Sequence, residues 1–178
     1  MSSDLHVIGM GNILYRDEGV GVYAAHYLQA AYRFTPAIGI ADGATMGFGL
    51  MNYFQISGPP ARLIILDALL ARNQPGAIYR LTGEQLTGLG PAMRPTAHEV
   101  DAIQLLQLAT ALGSPPEMTL LGIVPADTSE LAIGLTPELS AAFPQYIEAA
   151  LAEMRARGIR AQRSRSLSLN DVIGELVT

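Results

Sequence analysis

The sequence predicts an α/β protein, a three-layer αβα sandwich around a mostly parallel sheet of five strands. Short apolar runs alternate with longer amphipathic stretches in the order βαβαββαβα along the 178 residues. The run Leu63–Leu66 is apolar throughout, which is typical of a strand buried on both faces. Hydrophobic residues make up 49% of the chain, so it can bury a sizeable core.

The individual elements follow from apolar spacing and from turn and cap residues. Strands are predicted at Leu5–Ile8, Ala37–Ala41, Leu63–Leu66, Ala77–Leu81 and Met118–Ile123. Helices are predicted at Val20–Tyr32, near Gly47–Ile56, from Thr96 to about Leu112, and from Thr136 to about Arg157. Asp17 is the predicted N-cap of the first helix, and residues 83–95 are predicted to form a loop. The connection between the third and fourth strands is too short for a crossover helix, so one strand could be antiparallel or lie at an edge, giving a mixed sheet.

The chain divides into a single α/β domain, residues 1–158, and an appended segment, residues 159–178. The segment begins with arginines and serines, a polar stretch that predicts flexibility. Its apolar residues could still dock on the body of the protein or on a partner. They are Leu167, Leu169, Val172, Ile173 and Leu176.

Composition excludes several function classes. The chain has no Cys, and all eleven basic residues are Arg, which excludes thiolate chemistry, Schiff-base lysines and the P-loop lysine. Residues 1–154 carry six Arg against fourteen acidic residues, so nucleic acid is not the expected partner. No secretory signal and no membrane-spanning run is visible in the sequence. We therefore expect a cytoplasmic monomer that binds no membrane.

Polar residues gather where the predicted strands end. Asp17 and Glu18 follow the first strand, Asp42 ends the second and Asp67 ends the third, while His98 lies in the first turn of a helix. Each alone is explained as well by a cap, a turn or a solvated position. Together, two carboxylates and an imidazole supply three ligands for a divalent ion such as nickel or zinc. Asp17 could then hold a ligand in place by a hydrogen bond.

Two other site types find little support in the sequence. Gly9-Met10-Gly11 resembles the start of a dinucleotide fingerprint, but Leu14 stands at the third glycine position and carboxylates follow where the pyrophosphate would lie. No Gly-x-Ser-x-Gly elbow is present, which argues against a serine hydrolase.

Several motifs, in one order over residues 5–158, resemble those of the [NiFe]-hydrogenase maturation endopeptidases. They are GMGNILYRDEGVG at 9–21, DGATMG at 42–47, LIILDA at 63–68 with Pro75-Gly76 after it, AHE at 97–99, GIVP at 122–125 and GLTP at 134–137. Two departures stand out. Ala44 replaces the second glycine of the family's Asp-Gly-Gly-Thr-x-Gly segment, and residues 159–178 exceed the family's usual length.

The resemblance implies a protease that removes a C-terminal extension from the precursor of a hydrogenase large subunit, after nickel has been inserted there. It carries the family's metal-contacting trio over to Glu18, Asp67 and His98, which would contact the substrate's own nickel and act in catalysis. Asp17, Asp42, Gly43 and Thr45 are expected to contact the substrate or to hold the trio. No organic cofactor is implied.

The mechanism is open at this stage, because no nucleophile is identifiable; water attack on a metal-polarised carbonyl, with a carboxylate as base, is the simplest hypothesis. Two alternatives also stay open. One is a non-proteolytic chaperone that checks the large subunit for nickel through the same trio. The other is a nucleotide-binding α/β enzyme.

Overall fold

A single mixed sheet forms the centre of the protein. The computed structural model describes residues 2–44, 53, 62–89, 93–95, 102–113 and 115–178. Its eight strands are β1 (Ser2–Gly9), β2 (Tyr32–Thr35), β3 (Ala37–Asp42), β4 (Arg62–Ala71), β5 (Ile78–Thr82), β6 (Met93–Pro95), β7 (Glu117–Ile123) and β8 (Arg160–Arg163). The strand order in the main sheet is β3-β1-β4-β7-β5.

Strand pairing confirms the mostly parallel sheet. β1 pairs in parallel with both β3 and β4, and β4 pairs in parallel with β7. β5 lies at the edge of the sheet and is antiparallel to β7. The short connection after β4 predicted such an antiparallel or edge strand. β6 adds a short antiparallel pairing to the far end of β4, and β2 and β8 form a separate two-stranded sheet.

Helices cover both faces of this sheet. They are α1 (Val20–Ala31), α2 (Gly83–Thr87), α3 (Ala102–Ala111), α4 (Pro137–Ala156) and α5 (Leu169–Leu176), with a short 3-10 helix at Arg16–Gly19. One hydrophobic core joins α1 and α4 to the sheet, and a second joins α2 and α3 to the opposite face. No described helix is long and apolar enough to cross a bilayer.

The central strand β4 is longer than the sequence predicted, which changes the position of Asp67. The prediction ended this strand at Leu66, but β4 runs from Arg62 to Ala71, so Asp67 lies inside it. The neighbouring β1 stops at Gly9, which pairs with Leu66. β6 pairs with β4 further on, where Pro95 pairs with Leu69. Asp67 therefore lies after the last β4 residue that pairs with β1 and before the first that pairs with β6, and it pairs with Gly122 of β7.

Some elements differ from their predictions. Residues 83–95 contain α2 and β6 rather than a loop alone. Asp17 is not the N-cap of α1, because it lies within the 3-10 helix and Gly19 is the cap residue. The helix predicted near Gly47–Ile56, and the start of the helix predicted from Thr96, lie almost wholly outside the described residues.

The predicted flexibility of the segment after Gly158 is wrong. Arg160–Arg163 forms β8, which pairs with β2, and Ser164 donates a backbone hydrogen bond to the carbonyl of Ala31. The following helix α5 begins with a capping box formed by Ser168 and Asp171. The predicted docking of its apolar residues is confirmed: Leu167 and Val172 are buried, and Leu169, Ile173 and Leu176 pack against the main core.

Candidate active site

Helix α1 packs closely against the sheet, and this packing fixes the position of the residues just before the helix. A Cβ added to Gly21 would lie 2.1 Å from the carbonyl oxygen of Leu66 and 2.4 Å from that of Met10. A Cβ added to Gly9 would lie 2.2 Å from the carbonyl oxygen of Gly21. Glycine is therefore required at both positions for space rather than for backbone conformation. The close approach brings the start of α1 against the residue next to Asp67.

Asp17 is a structural residue whose carboxylate is fully engaged. It is completely buried, and its Oδ2 accepts hydrogen bonds from the backbone N–H groups of Ala126 and Asp127 at 2.8 and 3.1 Å. Its Oδ1 accepts from the backbone N–H of Thr136 at 2.7 Å, and the Thr136 hydroxyl also donates to the carboxylate. These partners satisfy a charge that would be costly to bury alone. Asp17 thus fixes the loop 124–136, which joins β7 to α4.

Two further contacts hold this loop against the segment before α1. Arg16 forms an ion pair with Glu130 at 2.7 Å. The backbone N–H of Arg16 donates to the carbonyl of Ala132, and the N–H of Ala132 donates to the carbonyl of Leu14. Arg16 also adopts a φ of 48°, a left-handed conformation that is uncommon for a residue other than glycine. The turn at Arg16 therefore has a defined conformation that precedes the two acidic residues.

Glu18 lies next to Asp17 in the 3-10 helix and is only 9% exposed. Its backbone N–H donates to the carbonyl of Tyr15 at 3.0 Å, within the tight turn. The 3-10 helix contacts β4, the strand that carries Asp67. Glu18 therefore lies on an element that contacts the strand bearing Asp67.

Asp67 is completely buried within β4. Its Oδ1 accepts a hydrogen bond from the backbone N–H of Ala68 at 2.8 Å. Beneath it, the hydroxyl of Tyr146 donates to the carbonyl of Leu121 at 2.7 Å and lies 3.4 Å from the carbonyl of Asp67. Burial raises the pKa of Tyr146 well above its ordinary value, and the charge of Asp67 raises it further. Tyr146 therefore stays neutral and serves as a hydrogen-bond donor to the strand.

Asp42 ends β3 and pairs with a histidine that sequence reasoning did not single out. The Nε2 of His26, on α1, lies 3.1 Å from Oδ2 of Asp42, and the N–H of Ala44 donates to Oδ1 at 2.9 Å. The hydrogen bond from His26 lowers the pKa of Asp42, burial opposes this, and the Ala44 N–H lowers it further. Gly43 donates its backbone N–H to the carbonyl of Gly9 at 2.7 Å, which ties this turn to β1. No signal in the sequence joined His26 to Asp42.

Two predicted site residues, Thr45 and His98, lie outside the described residues. The described chain nearest before His98 is β6, whose Pro95 pairs with Leu69, two residues beyond Asp67. Within the described ranges, no group of three His, Asp or Glu side chains could hold a metal ion, so the trio of Glu18, Asp67 and His98 stays a prediction.

The described arrangement therefore places two buried acidic side chains, Glu18 and Asp67, on elements that contact each other, the 3-10 helix and β4. Carboxylates in such a position can ligate a hard or intermediate cation or accept a proton from water. Asp42, by contrast, is half-buried and engaged with His26, which suits a role in contacting another molecule.

Comparison with known proteins gives one consistent family. The model of the hydrogenase maturation protease family, HycI, matches residues 22–153. The chain is 32% identical over 157 residues to the hydrogenase 2 maturation protease of Escherichia coli K12, covering 87% of this chain and 93% of that protein. It is 31% identical over 154 residues to the hydrogenase expression/formation protein HupD of Rhizobium leguminosarum bv. viciae, covering 86% of this chain and 75% of that protein.

Solved structures agree with the sequence matches. The hydrogenase maturating endopeptidase HybD from E. coli aligns with a TM-score of 0.73 and 30% identity, covering 92% of this chain and 98% of that one. The [NiFe] hydrogenase maturation protease HybD from Thermococcus kodakarensis aligns with a TM-score of 0.66 and 26% identity, covering 86% and 99% of the two chains. This alignment with E. coli HybD covers a larger share of the chain than residues 1–158 make up. Part of segment 159–178 is therefore included in it.

Proposed function

Since the chain belongs to the hydrogenase maturation protease family, and is an endopeptidase of hydrogenase maturation, we propose that it removes a C-terminal extension from a [NiFe]-hydrogenase large-subunit precursor. The observation that carries the proposal is the position of Glu18 and Asp67, both buried, on contacting elements of a fold that matches E. coli HybD. Membership of this protease family argues against the two alternatives, a non-proteolytic chaperone and a nucleotide-binding enzyme.

The proposal assigns nickel to the substrate, not to the free protease. Glu18, Asp67 and His98 would contact nickel that is already held in the precursor. An oxygen- and nitrogen-donating trio binds nickel weakly by itself, compared with the thiolates that hold the metal in a hydrogenase. Weak binding suits recognition, because the contact then forms only where the precursor supplies the remaining ligands. The burial of both carboxylates supports this role, since their charges gain most from a cation that arrives with the substrate.

For the chemistry, we propose that water attacks the carbonyl of the scissile peptide bond and that a carboxylate of the trio accepts its proton. The proton then passes to the leaving amine, so the peptide bond breaks without a covalent bond between the protease and its substrate. In this scheme Asp17 takes no part in the proton transfer, because its carboxylate is occupied by the loop 124–136. Asp42, Gly43 and Thr45 would contact the substrate chain.

The experiment compares metal-free and nickel-loaded precursor, each mixed with the protein under a chelator that removes free nickel only. Mass spectrometry then detects loss of the C-terminal extension. We expect cleavage of the loaded precursor alone; equal cleavage of both would eliminate recognition through nickel, and cleavage of neither would eliminate the proposed proteolysis.

A matched pair of variants tests the assignment of Glu18. Glu18→Gln should slow cleavage of the loaded precursor by about 10²–10⁴-fold, the range for loss of an acid–base group. Glu84→Gln removes an exposed carboxylate on α2 and should leave the rate unchanged. Equal rates for the two variants would show that Glu18 takes no part in cleavage.

A further inference from the structure

Four large apolar side chains lie exposed on two neighbouring chain segments beside Glu18. They are Leu14, Tyr15, Leu131 and Ile133, here called the exposed apolar patch, with exposed fractions of 49%, 38%, 72% and 47%. Among the described residues, seven large hydrophobic side chains are exposed to this degree, and more than half of them belong to this patch. Single exposed apolar residues are ordinary, but a group of this kind marks an interaction surface.

The patch has a fixed backbone. Residues 14–16 and the residues around Ala132 lie side by side through two backbone hydrogen bonds, from Ala132 to Leu14 and from Arg16 to Ala132. Asp17 holds both ends of the loop 124–136 through Ala126 and Thr136. The buried carboxylate of Asp17 thus holds a loop whose apolar side chains are exposed to solvent. A preorganised surface costs less ordering on binding than a flexible one.

The rim of the patch is polar. Arg16 and Glu130 form their ion pair beside it, and Asp127 is held by hydrogen bonds from Ser129 and Glu130. An apolar centre with a polar rim is the usual arrangement of a protein–protein interface. Because the charges of the rim are already paired within the chain, specificity here would come from the apolar centre.

The position of the patch indicates its occupant. Tyr15 and Glu18 belong to one tight turn, in which the carbonyl of Tyr15 accepts the N–H of Glu18, so a precursor that reaches that carboxylate would lie beside the patch. We propose that the exposed apolar patch binds an apolar surface of the hydrogenase large-subunit precursor next to its cleavage site. This inference rests on the proposed function and adds to it a surface for the folded precursor, separate from the contacts to nickel.

The test uses the full-length protein, a double variant and a matched control. The double variant, Leu131→Ser with Ile133→Ser, removes apolar area from the two neighbours of Ala132. The control is Leu112→Ser, which changes a leucine that is 53% exposed just after α3. Because all three side chains are exposed, the melting temperatures of both variants should stay close to that of the wild type.

Steady-state cleavage of nickel-loaded precursor should show KM raised about tenfold or more by the double variant, with kcat little changed. A loss of uniform binding gives this pattern, whereas damage to the catalytic groups would lower kcat. The control should keep the KM of the wild type. Equal KM values for the double variant and the control would overturn the inference.

A direct binding measurement separates this inference from the proposed proteolysis. Purified precursor is titrated against wild-type protein, the double variant and the control by calorimetry. Weaker binding of the double variant alone supports the patch, even if the wild type cleaves nothing. Equal binding of all three proteins overturns the patch, even if the wild type cleaves normally.

Discussion

Gly21→Ala is the substitution that tests the spatial arrangement of the site most directly. The added Cβ would lie 2.1 Å from the carbonyl oxygen of Leu66, where ordinary van der Waals contact begins at 3.4 Å. Both obstacles are backbone oxygens, so no side chain can turn away to make room. To restore ordinary contact the start of α1 must retreat from β4 by about 1.3 Å, the difference between these two distances, and overpacked interiors respond by backbone shifts of this kind.

The retreat has two measurable effects. Overpacking of this kind costs about 1–3 kcal/mol of unfolding free energy, which corresponds to a fall in melting temperature of roughly 2–12 °C for a domain of this size. Glu18 precedes α1 and moves with it, away from Asp67 on β4. A misplacement of about 1 Å in a catalytic arrangement can lower the rate about 10²-fold. We therefore expect kcat for precursor cleavage to fall far more than the loss of folded protein explains.

The control is Gly174→Ala, which makes the same change in α5, where a Cβ would meet nothing within 4 Å. Alanine is the better helix former, so this variant should be more stable than the wild type by about 0.5–1 kcal/mol, with unchanged kcat. The assay combines scanning calorimetry with cleavage rates at a temperature where every variant is folded. A Gly21→Ala protein with wild-type kcat and melting temperature would refute the argument that this glycine sets the site.

Three further predictions concern other parts of the chain. Asp17→Asn places an amide N–H₂, a donor, opposite donors such as the N–H of Thr136, so some of these groups lose their hydrogen bonds. Chemical denaturation should show an unfolding free energy lower by about 1–3 kcal/mol. An unchanged midpoint would contradict this. The hydrogen bond from His26 stabilises the ionised form of Asp42 and lowers its pKa, so the wild type should be more stable than Asp42→Asn. This difference should be fully present above pH ~4 and disappear as the pH falls through the lowered pKa. A difference that does not depend on pH would show that the pair contributes nothing. Truncation after Gly158 should lower the melting temperature, because each buried aliphatic side chain it removes contributes about 1.5–3 kcal/mol, while the folded remainder still cleaves precursor; an inactive but folded product would contradict the second part.

The sequence predicts the central strands well because their apolar runs are strong and short. β6, β2 and β8 have no such signal: β6 is Met-Arg-Pro, and every residue of β8 is exposed. Their pairing is decided by the strands they meet, not by their own composition. The end of β4 was misplaced for a related reason, since the charge of Asp67 interrupts an apolar run that continues through Ala68 and Leu69.

The site is predicted in part. Sequence position alone places Glu18 after the first strand and Asp67 at the end of the third predicted strand, whereas the structure has Asp67 inside that strand, β4. The role of Asp17 depends on partners more than a hundred residues away, and the pair of His26 and Asp42 joins a helix to a different strand. Such contacts appear only once the fold is known. The convergence of the trio, the nickel, the cytoplasmic location and the monomeric state stay predictions.

The pairing of β4 has a consequence for how the two acidic residues can move. β4 pairs with β7 from Arg62 to Ala68, with β1 from Arg62 to Leu66 and with β6 from Leu69 to Ala71, so the backbone around Asp67 opens to solvent only when the central sheet itself unfolds. Glu18 is carried by a single turn of 3-10 helix whose other acidic residue, Asp17, is hydrogen-bonded to the loop 124–136. The position of Glu18 therefore depends on that loop, whereas the position of Asp67 depends on the central sheet. A substitution that loosens the loop would shift one carboxylate and leave the other in place.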